Sequence, residues 1–213
     1  MLSAGFAASP FHAIMEADRK PAPTDENSRD ILLMERIGAG DHRAFRELVE
    51  RHQNAVVGTV AKMLGNASEA EDIAQQVFLR VWRHAKRYRP DAKFTTYLFT
   101  ITRNLVFNES RRKKRRNEVS ADEREENSHV LIPADPNRQP DSELLQEELR
   151  QAVDKAIASL PEPQRMAVVL RRYEQMPYEE IARVLDVSVS AVKSLLFRAR
   201  TALREALAGY LGS

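Results

Sequence analysis

The 213-residue sequence contains no cysteine, which excludes disulfide bonds, thiolate zinc sites and redox-sensing thiols within this chain. It has only seven glycines and so offers few places to build a phosphate-binding loop. Aromatic residues are 7% of the chain and charged residues 30%, which favours small helical domains over large buried cores. No apolar run approaches the ~18 residues of a membrane helix, and no secretory signal is evident. We therefore expect a cytoplasmic protein with no membrane insertion.

The patterns of catalytic and metal-binding residues are also missing. The five histidines are scattered without the spacing of a zinc site, so we expect no metal and no cofactor. There is no nucleophile elbow, and no pair of carboxylates outside positions that cap helices. We therefore expect neither an enzyme nor a small-molecule substrate.

The formal net charge is only +2, but the charges are strongly segregated. Residues 111–116 are six consecutive cations, and an acidic stretch follows from Glu118 to Glu148. Segregation of this kind indicates separate surfaces for separate partners. Clustered cations favour binding to a polyanion, although a solvated basic tail would have the same composition.

Helical periodicity runs through most of the chain, and no strand pattern is evident. We predict an all-α protein with two small helical domains joined by a flexible linker. Residues 1–30, rich in Ala, Ser and Pro, are predicted to be a disordered tail, and residues 31–116 the first domain. Residues 117–141, which are polar and proline-containing, are the predicted linker, and residues 142–213 the second domain.

Capping residues predict where helices of the first domain begin and end. Asp41 should cap a long helix that ends at Gly65. The segment Ser68–Glu71 has the pattern of a capping box and predicts the start of the next helix. A further helix should begin at Thr95 or Thr96 and run into the cationic cluster.

The segment Tyr178–Arg204 has the pattern of a helix-turn-helix, with Ser188 able to cap the second helix. The inward stripe of that helix is predicted to be Val192, Leu196, Ala199 and Leu203. The opposite side carries Lys193, Ser194, Phe197, Arg198 and Thr201. An aromatic residue at the centre of an exposed basic stripe suits a helix in a DNA major groove. A hairpin that packs on another protein is the alternative.

The segment Lys93–Arg116 combines amides, aromatics and the cationic cluster. One predicted stripe is formed by Tyr97, Asn104 and Asn108, and the far side by Phe99, Arg103 and Phe107. Amides can bond base edges, aromatics can stack on bases and cations bind phosphate, so the segment suits unstacked nucleic acid. For the two phenylalanines taken alone, packing between helices is the favoured interpretation.

A further candidate surface lies opposite the core face of the predicted third helix. Its residues are Asp72, Gln75, Gln76, Leu79 and Arg83. A leucine among amides and charges on an exposed face indicates a protein-binding surface, although single exposed leucines are ordinary.

These segments together resemble a bacterial RNA polymerase sigma factor of the extracytoplasmic-function (ECF) type, which carries only the second and fourth conserved sigma domains. The resemblance rests on FRELVERH, SEAEDIAQQVFLRVWRHAKRY, FTTYLFTITRNLVFNESRRKKRR and LPEPQRMAVVLRRYEQMPYEEIARVLDVSVSAVKSLLFRARTALRE. It spans about residues 45–207 except the linker. The order and spacing of the segments make it much more specific than a helix-turn-helix alone.

The resemblance implies a role for each surface. Core polymerase would be bound, at its β′ clamp helices, by Asp72, Gln75, Gln76, Leu79 and Arg83, and the polymerase β flap is a second expected contact. The −10 promoter element would be bound and melted by Tyr88, Lys93, Asn104, Asn108, Arg111 and Arg112. The −35 element would be read by Lys193, Ser194, Phe197, Arg198 and Arg200. The acidic linker would thread the polymerase cleft, and an anti-sigma factor is a further expected partner.

The sequence departs from this family at two points. Leu195 stands where a basic residue is common, and the loop YRPDAK has no aromatic beyond Tyr88, so the base it would capture stays open. Two other classes of function are alternatives. One is a polymerase-independent helix-turn-helix regulator, and the other an interaction protein whose basic helix binds acidic partners.

Overall fold

The computed structural model describes residues 25–119 and 140–211, and all regular structure within them is helical. The helices are α1 Asp25–Gly38, α2 His42–Leu64, α3 Ala67–His84, α4 Phe94–Val119, α5 Pro140–Ser159, α6 Glu162–Arg172, α7 Tyr178–Leu185, α8 Val189–Ala206 and α9 Ala208–Leu211. A 3-10 turn, Ala85–Arg87, follows α3. The predicted all-α class is confirmed. Most of the predicted tail and linker lies outside the described residues.

The first four helices enclose an apolar core. Its fully buried members include Met34, Leu48, Val56, Val60, Val77, Val81, Phe94 and Leu98. The predicted ends of α2 are confirmed, since the Asp41 carboxylate accepts hydrogen bonds from the backbone N–H groups of Arg43 (2.8 Å) and Ala44 (3.1 Å). Gly65 ends the helix at φ 71°, a left-handed conformation that glycine adopts without steric cost.

The start of α3 differs from the predicted capping box. Asn66, in an extended conformation, accepts hydrogen bonds through Oδ1 from the backbone N–H groups of Ser68 (3.0 Å) and Glu69 (3.4 Å). The helix therefore begins at Ala67, and the prediction of Ser68 as the cap was wrong. Asparagine is as good an N-cap as serine, and here it comes first along the chain.

Helix α1 begins inside the predicted tail, so the boundary placed at residue 30 was also wrong. Asn27 Oδ1 accepts a hydrogen bond from the backbone N–H of Phe94 at 2.9 Å. This side chain therefore caps α4 from another helix, and α4 begins at Phe94 instead of Thr95 or Thr96. The cap and its helix are 67 residues apart, a pairing that local sequence patterns do not reveal.

A buried polar cluster attaches α1 to α2. The Asp30 carboxylate is only 2% exposed and accepts hydrogen bonds from Arg51 Nε and His52 Nε2, both at 2.9 Å. Burying a carboxylate is costly unless it is hydrogen-bonded and paired with charge, as it is here. Contacts made by polar side chains leave no apolar periodicity in the sequence. For this reason the first turns of α1 were predicted to belong to the disordered tail.

Helices α5 to α8 build the second half of the structure. Its buried residues include Ile157, Leu160, Met166, Leu170, Ile181, Leu185, Val192 and Leu196. Helix α7 ends at Asp186, whose φ of 58° is left-handed, and Ser188 Oγ then accepts a hydrogen bond from Ala191 N–H at 3.2 Å. The predicted helix-turn-helix and its Ser188 cap are confirmed.

The two halves of the structure pack directly against each other. Helix α7 packs against α4, and α6 packs against α2. We call these two contacts the interdomain seam. Buried apolar residues from α1–α4 and α6–α8 form one continuous cluster across it. Sequence periodicity predicts that each helix has an apolar face, but it does not say which helices from different domains will meet.

Replacement of Asp30 tests the importance of the polar cluster. Asp30→Ala leaves Arg51 and His52 without their carboxylate, so we expect the free energy of unfolding to fall by about 2 kcal/mol. Glu35→Ala, which removes an exposed acid from the same helix, should change it by no more than about 0.5 kcal/mol. Urea unfolding followed by circular dichroism measures both. Equal losses would show that the cluster contributes nothing specific.

Candidate nucleic-acid and polymerase interfaces

Helix α8 presents an exposed basic face. Its inward residues Val192, Leu196 and Ala199 are buried against the second half of the molecule. Lys193, Ser194, Phe197 and Arg198 are exposed, and 66% of the Phe197 surface is accessible. A large aromatic side chain with so little intramolecular contact is available to a partner. Four of the five predicted −35 residues thus share one open face.

Arg200 and Leu195 of α8 lie at the edges of this face. Arg200 is half-buried, and its Nε is enclosed without a hydrogen-bond partner in the described part of the chain. Leu195 is also half-buried and packs against the apolar cluster. The leucine that replaces the usual basic residue at this position therefore packs against the core of the domain.

The predicted amide stripe on α4 is solvent-accessible. Asn104 and Asn108 are exposed, and Tyr97 beside them is half-buried. Tyr97 meets Tyr88 edge to face, with 5.1 Å between ring centroids. A concave stripe of two amides and two aromatic rings can offer both base-edge hydrogen bonds and ring contacts to an unstacked base.

Tyr97 and Asn104 from this stripe line a cleft of ≈ 430 Å³ between α3, the loop after it and α4, whereas Asn108 lies outside it. Its polar lining includes Arg80, His84, Arg87, Tyr88, Tyr97 and Asn104. Arg80, His84 and Arg87 were not among the predicted site residues. Arg80 and His84, four residues apart, lie on the same face at the end of α3, and Arg87 lies in the 3-10 turn that follows. The spacing of Arg80 and His84 was a signal available in the sequence.

Two tyrosines in the cleft stay neutral over the physiological range. Burial, with a smaller contribution from the nearby Asp30 and Asp91 carboxylates and Tyr97, raises the pKa of Tyr88 to about 12. Burial also raises the pKa of Tyr97. The Tyr88 hydroxyl is buried and has no hydrogen-bond partner in the described residues.

The remaining residues predicted to bind the −10 element differ in their surroundings. Arg111 and Arg112 are exposed on the last turns of α4, and Arg112 Nη2 pairs with Glu109 at 2.8 Å. Lys93 is different, because its Nζ lies 2.7 Å from Glu180 Oε1 on α7. The six predicted residues are therefore not one open surface, since Lys93 is engaged across the interdomain seam.

The favoured interpretation of the two α4 phenylalanines is confirmed. Phe99 is 2% exposed, and Phe107 packs against the apolar cluster. Arg103, on the same side of the helix, lies over the Phe107 ring at 5.9 Å from its centroid. Arg103 Nε also donates a hydrogen bond to the backbone oxygen of Val184 at 3.0 Å. This side of α4 is therefore a packing surface toward α7.

The predicted protein-binding face of α3 is open along its length. Residues Asp72, Gln75, Gln76, Leu79 and Arg83 are all exposed. Leu79 is 50% exposed in the middle of this polar face, whereas Ala74, Val77, Phe78 and Val81 on the other side are buried. The exposed and the buried residues lie on opposite sides of α3 because their spacing follows the helical period.

The described residues contain neither a metal-binding cluster nor a helix that could span a membrane. Between residues 25–119 and 140–211, no cluster of His, Asp or Glu side chains has an arrangement that could hold a metal ion. No helix in the same ranges has the length and apolar character needed to span a membrane.

Comparison with known proteins gives two family matches. Residues 48–116 match Sigma-70 region 2, and residues 150–203 match Sigma-70 region 4. The RNA polymerase sigma-H factor of Pseudomonas aeruginosa is 35% identical over 184 residues, which cover 84% of this chain and 94% of that protein. The ECF RNA polymerase sigma-E factor of Escherichia coli K12 is 37% identical over 182 residues, with 84% and 94% coverage.

Solved structures share the fold. RpoE in complex with the anti-sigma factor NepR from Bartonella quintana aligns with a TM-score of 0.64 and 23% identity, over 76% of this chain and 96% of that chain. CnrH in complex with the cytosolic domain of CnrY gives 0.63 and 24%, over 85% and 98%. Matches to both sigma regions and to full-length relatives leave no support for the polymerase-independent regulator. The chain belongs to the ECF sigma factors, which direct RNA polymerase in transcription initiation.

Proposed function

We propose that this sigma factor reads its promoter at two separate surfaces, α8 for the −35 element and the α4 cleft for the −10 element. The observation that carries the proposal is the exposed stripe of α8, where Phe197 is 66% exposed between cations. A recognition helix of this kind enters the major groove, with cations reaching phosphates or guanine and an aromatic edge meeting a thymine methyl.

The α4 cleft suits the single-stranded form of the −10 element. Unstacking a base costs a few kcal/mol, and a protein that binds the unstacked base offsets this cost. Asn104 can hydrogen-bond a base edge, while Tyr88 and Tyr97 supply aromatic rings. Arg111 and Arg112 lie further along the helix, where cations can follow the phosphate backbone. Capture of flipped bases would then drive melting without ATP, and the protein needs no catalytic site of its own.

The exposed face of α3 is the proposed contact with core polymerase, at the β′ clamp helices, and the second domain is the proposed contact with the β flap. Leu79 supports this assignment because it is a half-exposed leucine within a polar face. An anti-sigma factor is a further proposed partner, since the two similar solved structures are complexes with CnrY and NepR. We place the protein in the cytoplasm, where it would meet core polymerase and DNA.

Reconstitution with core polymerase tests the whole proposal. The protein should co-purify with core and support initiation from a promoter chosen by binding-site selection. Leu79→Asp should weaken core binding by at least tenfold, because it places a carboxylate where an apolar contact is expected. Leu32→Asp is the matched control, since Leu32 is also an exposed leucine (60%) but lies on α1. Failure of the unsubstituted protein to bind core or to initiate would refute the proposed function.

The division of labour between the domains is tested by two alanine substitutions. Asn104→Ala should impair promoter opening, measured by permanganate reactivity, and leave binding of a −35 duplex unchanged. Lys193→Ala should weaken binding of that duplex and lower the slope of log affinity against log salt by about 1, while the holoenzyme still binds a single-stranded −10 oligonucleotide. Equal loss of duplex binding from both substitutions would contradict the assignment.

Adjacent residues of α8 separate DNA contact from folding. Phe197→Ala should change the free energy of unfolding by no more than about 0.5 kcal/mol but weaken binding to the −35 duplex severalfold. Leu196→Ala removes a side chain that is only 8% exposed and should cost about 2–4 kcal/mol of stability. Thermal unfolding and fluorescence anisotropy measure the two effects. A Phe197 variant that binds duplex normally would remove this residue from the reading surface.

A further inference from the structure

Helix α1 contacts both ends of the loop that connects α3 to α4. We call residues 85–93, which include the 3-10 turn, the α3–α4 loop. After the loop, Asn27 Oδ1 accepts a hydrogen bond from the backbone N–H of Phe94 at 2.9 Å. Before it, Gly38 at the other end of α1 packs on the backbone of Ala85. One helix therefore holds the beginning and the end of this loop.

Gly38 approaches Ala85 closely because it has no side chain. A Cβ atom at this position would lie 3.3 Å from the Ala85 backbone oxygen and 3.5 Å from its carbonyl carbon. The first distance is tighter than the contacts that Cβ atoms ordinarily make. The neighbour is backbone, so it cannot rotate away as a flexible side chain can. A larger residue at position 38 would therefore displace the beginning of the loop.

Helix α1 is also fixed between these two contacts. The buried Asp30 carboxylate accepts hydrogen bonds from Arg51 and His52 of α2, and Met34 and Ile37 are buried in the core. At ~1.5 Å of rise per residue, the two ends of the loop are attached at points about 16 Å apart along α1. Because the helix is held along its length, the core of the first domain sets this separation.

Tyr88 lies in the loop, between α1 and the α4 cleft. It lines the cleft, and with Met34 and Pro90 it also lines a groove of ≈ 380 Å³ on the side of α1. Its ring lies 6.2 Å from the Phe94 ring and 5.1 Å from the Tyr97 ring, measured between centroids. The position of this ring in the cleft therefore depends on α1 as well as on α4.

The loop has little regular structure of its own. Only Ala85–Arg87 forms a helical turn, and residues 88–93 are irregular. Pro90 restricts one backbone dihedral angle but donates no hydrogen bond. Contacts with the neighbouring helices therefore decide the position of the loop. A loop that is already ordered loses less conformational entropy when a base binds, so its affinity for that base is higher.

We propose that α1 is a positioning element for capture of the −10 element: Asn27 and Gly38 hold the two ends of the α3–α4 loop and so place Tyr88 against the α4 cleft. Neither Asn27 nor Gly38 lines the cleft, so both act through the loop. The match to Sigma-70 region 2 begins at residue 48 and leaves α1 outside it. The inference rests on the proposed binding of the −10 element at this cleft.

Hydrogen exchange of the full chain, followed by mass spectrometry, measures the restraint on the loop without DNA or polymerase. Asn27→Ala removes the acceptor of the Phe94 N–H, so peptides that cover residues 85–93 should exchange about fivefold faster, the size expected for loss of one helix cap. Exchange in α8 should not change. Asn27→Asp keeps a capping oxygen and should restore most of the protection. Ser28→Ala, at the neighbouring exposed position, is the matched control.

The effect on promoter binding is tested by Gly38→Ala in the holoenzyme. Alanine favours a helix more than glycine does, so α1 itself should stay intact while its new Cβ displaces the loop. A small misplacement of a binding group lowers affinity severalfold. We expect such a loss for a single-stranded −10 oligonucleotide, with unchanged binding of core polymerase and of the −35 duplex. Gly58→Ala is the matched control, because a Cβ there meets nothing within 4 Å.

The outcomes separate the positioning role from the proposed function. An unsubstituted holoenzyme with no affinity for the −10 oligonucleotide refutes the proposed function, and loop exchange then judges the restraint alone. Equal −10 binding by the Gly38 and Gly58 variants overturns the positioning role, as does a parallel loss of −10 and −35 binding. Faster exchange spread evenly over the chain of Asn27→Ala also overturns it. Selective loss of −10 binding together with faster exchange confined to the loop supports both.

Discussion

The burial of α4 on two sides is the constraint on which the rest of this structure depends. One side, with Phe94, Leu98 and Leu105, closes the core of the first domain. Another side, with Phe99 and Arg103, packs toward α7 of the second domain. Between residues 94 and 110 of this helix, only Asn104 and Asn108 are fully exposed to solvent. The helix therefore supports both domains and keeps a single narrow face for nucleic acid.

This arrangement links folding to recognition. Because α4 is fixed by packing on both sides, the core sets the position of its amide stripe and of Tyr97, while Tyr88, in the loop before α4, contacts the Tyr97 ring. The cap from Asn27 and the buried Asp30 cluster add a further restraint, since they attach α1 to the start of α4 and to α2. Sites held on rigid helices are positioned more accurately than sites on loops.

The interdomain seam combines apolar and polar contacts. Its apolar part is continuous with the two cores, and its polar part contains the partly buried carboxylates of Glu174 and Glu180 with their partners. Polar contacts of this kind fix one relative orientation while adding little net free energy.

Much of the fold followed from local pattern. The helix-turn-helix, its Ser188 cap, the ends of α2 and the exposed faces of α3 and α8 were predictable, because each depends on residues within a few turns of one helix. The Asn66 cap was not predicted because the four-residue pattern of a capping box at Ser68–Glu71 was preferred over a single asparagine. The first turns of α1 were missed because polar contacts with distant residues, and no apolar period, hold them in place.

The amino-acid sequence by itself determined the family, the all-helical class and the surfaces available to partners. Each of these depends on motifs or on helical periodicity within single segments of the chain. Only the tertiary structure decided that Phe99 and Phe107 pack toward α7, that Arg80, His84 and Arg87 join the cleft, and that Lys93 is held by Glu180. These outcomes depend on contacts between different helices, some of them about eighty positions apart in the sequence. Periodicity within one helix contains no information about which other helix will cover it.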